Sequence, residues 1–318
     1  MRHLIICTEY PPAPIAAGGI GIYVQNIAQL LAESGETVHV ITVAWPGAPG
    51  PRETYCNGRL VIHRVTVDHV LDVEWNCGRE SIANDELQAL TDSDFPEQRF
   101  AWQAALLAEW LVEAEGIDVI EAQEFQAPLY YFQMRRALGL GPKRKPPCIV
   151  HLHSPTELIY RFNDWNTRQP YAQIARQMEA FSIRSADCRM CPSKYMARQV
   201  EQHYGLEPDS IKVIPLPVGK TPMLDRTIDT WSNGSICYVG RLEPRKGVIE
   251  WVDAAVSVAD DYPSAIFEFV GADLPYAPGI TVRQQLDARI PQRMRSRFVF
   301  RGEQSRDELM ESLARARI

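Results

Sequence analysis

The fold class this sequence predicts is α/β, with two domains in tandem, each built on a parallel sheet. Three observations carry that expectation. Short apolar runs alternate with amphipathic helical stretches, the pattern of strands buried on both faces and joined by crossover helices. The alternation lapses at Lys220-Thr-Pro-Met-Leu-Asp-Arg-Thr-Ile-Asp-Thr-Trp-Ser-Asn-Gly234, which is rich in turn formers and weak in periodicity, and restarts after it. The length of 318 residues accommodates two domains of about 150 residues each. The expected division is therefore 1–219, a linker over 220–234, and a second domain over 235–318.

In chain order, Leu4 to Thr8 reads as a central strand, followed by the loop Glu9-Tyr-Pro-Pro-Ala-Pro-Ile-Ala-Ala-Gly-Gly19. A helix follows with Ile20, Val24, Ile27 and Leu31 on one face and Gly35 as its stop. Thr37 to Val43 is the next buried strand. A glycine pair opening a helix after strand one invites a test against the dinucleotide fingerprint. Gly19-Ile-Gly21 is followed by Ile22, Tyr23 and Val24, so the third glycine is missing, and strand two ends at Val43-Ala-Trp-Pro without an acidic residue. Nicotinamide hydride transfer is thereby disfavoured. The loop still turns N–H groups toward an anionic or sugar group, and glycine permits close approach.

Leu60 to Val67 reads as a strand, and the rest of 45–98 is irregular. Asp92-Ser-Asp94 matches a metal-binding Asp-x-Asp only formally, since no apolar strand delivers it. Phe100 to Glu115 is helical, Ile117 to Ala122 is a strand, and a helix starts at about Ala127 beyond Glu124. Gln133-Met-Arg-Arg and Pro142-Lys-Arg-Lys145 form a basic cluster. Such a cluster can serve a peripheral membrane contact or simply solvate a helix end and loop, the commoner reading. Cys148 to His153 is a strand with His151 and His153 on one face. His153 stands at the carboxyl end, where ligands bind in such sheets. A helix over Tyr171 to Ser185, a strand at Asp187, a helix capped by Ser193 and a strand over Ile211 to Ile214 complete the first half. The second half reads as strand 235–239, helix 247–260, strand 265–270 ending at Gly271, a helix near 281–295, strand 297–300, and a helix opened by the capping box Ser305-Arg-Asp-Glu308.

Hydrophobic residues at 46% and charged residues at 23% describe a soluble globular protein, and a net charge of −7 argues against a nucleic-acid partner. No run approaches the ~20 apolar residues of a membrane span, and the first apolar run is too short for a signal peptide. The seven cysteines are odd in number and scattered, as expected of reduced thiols in cytoplasm. Cys188-Arg-Met-Cys191 has metal-ligand spacing but no completing pair, and reads as strand.

The richest stretch is Ser235-Ile-Cys-Tyr-Val-Gly-Arg-Leu-Glu-Pro-Arg-Lys-Gly247. A strand ends at Gly240, cations stand in the turn, and a helix begins at about Gly247. The unpaired N–H groups and positive dipole end of that helix favour an anion. Arg241 and Lys246 add charge-assisted hydrogen bonds of about 1.5–3 kcal/mol each. A diphosphate is the ligand expected here.

With the Gly-Gly loop and the strand-terminal histidine, this constellation resembles the family-four retaining glycosyltransferases of the GT-B fold, which include bacterial mannosyl-, glucosyl- and N-acetylglucosaminyl-transferases. Gly240-Arg-Leu-Glu-Pro-Arg-Lys-Gly247 fits every fixed position of that family's Gly-Arg-Leu-x-x-x-Lys-Gly. The resemblance implies two Rossmann-like domains facing a cleft, the second incomplete in this chain. It implies transfer of a sugar, with retention and without a metal or other cofactor, from a UDP- or GDP-linked sugar to a carbohydrate or glycoconjugate acceptor. Gly240, Arg241 and Lys246 would bind the diphosphate, and the two cations would stabilise the leaving group. Gly18 and Gly19 would approach the donor through backbone N–H. His153 would hydrogen-bond the donor sugar near the reacting carbon. Tyr10 would line the acceptor side, and Gly271, Arg301 and Gly302 would lie near the nucleoside. Cytoplasmic chemistry, with or without contact to the inner membrane face, is the expected setting.

Two departures stand out. Ile214-Pro-Leu puts Leu216 where the family has Asn. The family's acidic motif of two glutamates is expected beyond the last helix, because Glu303 and Glu311 match its spacing only by number: Ser305 caps a helix between them, and Glu311 lies on that helix beside Leu309 and Leu313. Alternative readings are a sugar phosphorylase or nucleotide-sugar epimerase of the same fold class, or a non-catalytic sugar-nucleotide-binding protein.

Overall fold

The computed structural model describes residues 1–12, 19–45, 47–66, 84–217 and 227–318, with backbone only for 84–87. Gly18, Cys77 and the first part of the expected linker, 220–226, lie outside the described residues. Two units are present: Met1–Tyr160 with Asn166–Gly219, and Lys220–Ile318 with the segment Arg161–Trp165.

The first unit runs β1 (Arg2–Ile6), α1 (Gly19–Glu33), β2 (Thr37–Val43), β3 (Arg52–Tyr55), β4 (Leu60–Val65), α2 (Asn84–Thr91), α3 (Gln98–Ala114), β5 (Val119–Gln123), α4 (Tyr130–Ala137), β6 (Cys148–His151), α5 (Thr156–Phe162), α6 (Pro170–Ser185), β7 (Cys188–Cys191), α7 (Lys194–Tyr204) and β8 (Lys212–Val213). Among the described residues these strands form one eight-stranded sheet in the order β3-β4-β2-β1-β5-β6-β7-β8. Every pairing is parallel except that of β3 with β4. The apolar run of β1 has two destinations because successive residues point to opposite faces. Leu4 and Ile6 pack with Leu111, Ile120 and Phe132, whereas Ile5 and Cys7 pack with Tyr23, Val24 and Ala28 of α1.

Several local expectations needed correction. Helix α1 buries Gly21, Tyr23, Val24, Ala28 and Ala32 and leaves Ile20, Ile27 and Leu31 only partly covered. Its small residues face the sheet and let the helix lie close, so the apolar stripe is rotated from the expected one. Strand β3 and helix α2 occupy part of the stretch read as irregular. The inward residue of β3 is Glu53, ion-paired with the buried Arg64, so no hydrophobic alternation marks the strand. The helix expected from Ala127 starts at Tyr130, after Gln126 and Ala127 at φ 62° and 47°. In the basic cluster, Arg135 pairs with Glu109 at 2.7 Å, Arg136 with Asp187 at 2.8 Å and Arg144 with Asp118 at 3.0 Å. Most of its charge therefore has partners inside the unit. Among the described residues no helix is long and apolar enough to cross a membrane.

The second unit adds α8 (Ile228–Asn233), β9 (Ile236–Val239), α9 (Val248–Ala259), β10 (Phe267–Val270), β11 (Pro275–Ala277), β12 (Ile280–Thr281), α10 (Val282–Arg289), β13 (Phe298–Gly302) and α11 (Arg306–Arg315). Strands β13, β10 and β9 form a parallel three-stranded sheet. An aromatic core fastens α9 to it: Trp251 lies 4.8 Å from Phe269, which stacks on Phe300 at 4.2 Å. Helix α8, capped by Thr227, occupies part of the expected linker. The helix expected over 281–295 ends at Arg289 because Pro291 cannot continue it, and a 3-10 turn takes over at Gln292. The β11–β12 hairpin gave no signal in the sequence, being only three and two residues per strand. Both α10 and α11 begin with complete capping boxes, Thr281/Gln284 and Ser305/Glu308.

Candidate functional site

In the first unit the carboxyl ends of β1, β5 and β6 gather polar side chains next to α1. Gly19 is the first residue of α1, exposed, and a Cβ built on it meets nothing within 4 Å. Packing within the unit does not demand glycine there. One turn along, Tyr23 donates its hydroxyl to Glu121 Oε1 at 2.7 Å. His151 Nδ1 lies 3.3 Å from the same oxygen, and its Nε2 is buried with no hydrogen-bond partner among the described residues. The rings of His151 and His153 are 4.3 Å apart, and Tyr23 approaches His153 at 5.3 Å. Burial, and then the neighbouring His151, push the His153 pKa down to about 3. At neutral pH its imidazole is therefore uncharged, a hydrogen-bonding group rather than a cation. Tyr10 is 6% exposed and packed in the α1-side core with Arg64 over its ring, which makes it largely a core residue.

The turn that carries His153 is held from below. The His153 N–H donates to both Glu124 oxygens at 2.8 Å, and the Ser154 N–H to Oε1 at 2.5 Å. Thr156 gives its N–H to Glu179 Oε2 at 2.8 Å and its hydroxyl to Oε1 at 2.6 Å, and Gln126 adds an N–H at 3.1 Å. Both carboxyl groups are 0% exposed. Neither Glu124 nor Glu179 stands in a motif that the sequence alone marks as functional. The available signal was register: Glu179 shares the buried face of α6 with Ala175, Met178, Ser182 and Ile183.

In the second unit the glycines at the strand ends form a rim. Gly240 follows β9 at φ 153° and Gly271 follows β10 at φ 151°. A Cβ on Gly271 would stand 2.0 Å from the Gly240 carbonyl oxygen and 3.0 Å from the Arg241 nitrogen, so only glycine lets the two backbones meet. Gly240 N–H bonds Val270 O at 2.9 Å, Gly271 N–H bonds Gly302 O at 2.8 Å, and Tyr238 gives its hydroxyl to Arg241 O at 3.2 Å. Gly302 closes this rim. Arg301 turns instead to the buried Glu268 at 2.5 Å, which also accepts from Ser235 at 2.8 Å. Its guanidinium thus has an internal partner rather than an open one.

Beyond the rim, Pro244–Lys246 forms a 3-10 turn, and Gly247 at φ 70° caps α9 without any side-chain hydrogen bond to the helix. Among the described residues no N-cap side chain accepts the opening N–H groups of α9. Glu243, buried in this turn, organises it. Its Oε1 accepts from Asn163 Nδ2 at 2.8 Å and Arg245 Nε at 3.0 Å, and its Oε2 lies 3.3 Å from Arg241. The Asn163 Oδ1 accepts the Arg245 N–H at 3.0 Å. Burial acts to raise the Glu243 pKa, but the Asn163 hydrogen bond and Arg245 outweigh it and hold the carboxyl below the usual range. Lys246 projects to the surface, its pKa lowered by partial burial and then by Arg245. Arg241, Arg245 and Lys246 against one carboxylate leave the turn with two net positive charges. Neither Glu243 nor Asn163 was singled out from the sequence, since one fills a variable motif position and the other lies far from the turn in the chain.

Among the described residues no three His, Cys, Asp or Glu side chains cluster as metal ligands. Asp92 and Asp94 are exposed in the loop after α2. Cys188 and Cys191 are unpaired, the latter buried. Glu303 is exposed, and Glu311 stands on the outer face of α11 near Arg315.

Residues 17–219 match the sequence profile of Glycosyltransferase Family 4. A D-inositol 3-phosphate glycosyltransferase from Acidothermus cellulolyticus is 27% identical over 258 residues, covering 78% of this chain and 52% of that protein. The chain thus spans about half the length of the curated relative it matches. Among solved structures, a sucrose-phosphate synthase from Thermosynechococcus elongatus is similar with a TM-score of 0.66 at 15% identity, over 99% of this chain and 74% of that one. A trehalose-6-phosphate synthase gives 0.58 at 13% identity over 98% and 76%. The catalytic domain of starch synthase IV from Arabidopsis thaliana gives 0.57 at 14% over 99% and 76%. These likenesses establish the fold class as GT-B.

Proposed function

Because the chain belongs to glycosyltransferase family 4, we propose that it transfers a sugar from a nucleotide-diphospho-sugar to an acceptor hydroxyl with retention of configuration. The turn 240–247 is the observation that carries this reading. Three cations, one carboxylate and a helix start with no side-chain cap make a place for a diphosphate. Arg241 and Lys246 contact the phosphates and stabilise the charge that develops on the leaving diphosphate. Gly271 holds the rim closed behind Arg241, with Gly302 beside it near the nucleoside. Gly19 admits the donor at the start of α1, together with Gly18. His153, neutral, hydrogen-bonds the donor sugar and orients its reacting carbon without adding charge. The acceptor oxygen attacks on the face that the nucleotide leaves, and these groups take the place of a metal. The domains are assigned as 1–219 on the acceptor side, 220–234 as linker and 235–318 on the donor side.

Free cysteines among the described residues fit a reducing cytoplasmic setting. Lys143 and Lys145, both exposed, are the part of the basic cluster open to an anionic membrane surface. The similarity to a D-inositol 3-phosphate glycosyltransferase makes a phosphorylated polyol the first acceptor class to try. The test is turnover of UDP- and GDP-linked hexoses with inositol phosphates and simple sugars as acceptors, the anomeric configuration of the product read by NMR. One donor giving a product of unchanged configuration is expected. Release of sugar phosphate only when orthophosphate is present would assign a phosphorylase instead.

A further inference from the structure

Beneath His153 lie two carboxylates that the chemistry above does not use. Glu124 follows β5 and Glu179 sits on α6, and neither has an ion-pair partner among the described residues. Between them they accept every backbone N–H of His153-Ser154-Pro155-Thr156, proline having none to give. Glu179 also takes the Gln126 N–H, tying the loop after β5 to the loop after β6.

We propose that Glu124 and Glu179 are the positioning residues of His153, a paired brace that fixes the 153–156 turn and so aims the imidazole. The proposal rests on the reading of His153 given above. Two enclosed carboxylates whose charges act on each other disfavour simultaneous ionisation. Their environments decide which keeps the proton. Glu124 faces only N–H donors in this turn, so its carboxylate form is the one that satisfies them. Glu179 faces the Thr156 hydroxyl, which can donate to a carboxylate or accept from a carboxylic acid.

Burial raises Glu124 to about 7, and burial together with the nearby Glu124 charge raises Glu179 to about 8. The other titratable groups facing the pair are His151 on β6, Cys191 at the end of β7, and Tyr204 on α7, with the Glu157–Arg176 ion pair close to Tyr204. In the state with one shared proton, Glu124 is ionised, Glu179 is neutral, and every N–H of the turn has an acceptor. Protonating Glu124 puts an O–H among donors and loosens the turn.

The test uses the full chain labelled with 15N-histidine, the His153 ring signals being assigned through His153→Asn. In the unmodified protein those signals are expected to shift with a transition centred between about 7 and 8 while the ring stays neutral. Glu124→Gln is expected to displace them at all pH values and to remove the acid side of the transition. Glu179→Gln imitates the neutral carboxyl, so it is expected to keep the neutral-pH ring positions and lose only the alkaline side. This second variant guards against misfolding of the first. With a donor that turns over, Glu124→Gln is expected to lower kcat by up to about a hundredfold with donor KM unchanged and a flattened acid limb of the pH profile. His153 signals that do not move between pH 6 and 9, or that follow the same curve in Glu124→Gln, overturn the proposal. Displaced signals in Glu124→Gln with no turnover of any nucleotide sugar by the unmodified chain would sustain the brace and sink the transferase reading.

Discussion

A side chain one atom larger than hydrogen at Gly271 would collide with the Gly240 carbonyl, and this contact shows what the turn before Arg241 depends on. Gly271→Ala is expected to cost at least about 1–3 kcal/mol from backbone strain alone and to disturb the rim as well. Gly302→Ala meets open space, so only its φ of 73° opposes it, about 1–2 kcal/mol. Thermal unfolding of the two variants checks the order. Equal melting temperatures would show that the Gly240–Gly271 approach relaxes freely. At this scale the sequence was informative wherever the constraint is local. Ser193 accepts the Met196 N–H as its position before a helix suggested, and Gly240-Arg241 reads as a turn in any context. Glu243 was not legible, because nothing near it in the chain announces that its carboxylate is shared by Arg241, Arg245 and the distant Asn163.

Among the elements, β2 spans Thr37–Val43 as read, since a buried parallel strand writes its whole length in apolar residues. Edge elements were harder. Strand β3 turns Glu53 inward against Arg64, and β11 and β12 are too short for any period to show. The segment Arg161–Trp165, which begins in the last turn of α5 and runs past its end, is the least expected stretch, because Asn163 within it supplies both halves of an amide clamp on the 243–245 turn. Asn163→Ala leaves Glu243 and the Arg245 N–H each short of a partner, at about 1–3 kcal/mol for a buried unsatisfied group. Its affinity for a nucleoside diphosphate is expected to fall as the second unit loses stability, measured by calorimetry and thermal unfolding on the same sample. Unchanged affinity would show that Glu243 holds Arg241 without the clamp.

For the whole molecule, buried titratable groups of the first unit set the pH range of stability. His39 and His63 are buried and His153 is half-buried, all three with lowered pKa values, the latter two to about 3. Their contribution is present above the unfolded value of about 6.5 and is lost as pH falls toward 3. Glu124 and Glu179 act the other way. Their raised values mean stability present below about 4.5 and lost as pH rises through about 7 and 8. The melting temperature of the first unit is therefore expected to peak between about 6 and 7 and to decline on both sides. A calorimetric scan from pH 4 to 9 that rises steadily through 8 would contradict this. The two-unit architecture was legible because alternation, lapse and restart are written along the whole chain, whereas the brace under His153 depends on residues from β5, β6 and α6 meeting in space. The most direct measurement is calorimetric titration of UDP and GDP into the unmodified chain and into Arg241→Ala. One nucleotide is expected to bind the unmodified chain. In Arg241→Ala it should bind roughly ten- to 150-fold more weakly, the loss of one charge-assisted contact of about 1.5–3 kcal/mol, with the melting temperature nearly unchanged. Binding of neither nucleotide, or undiminished affinity in the variant, would contradict a diphosphate site in the turn 240–247.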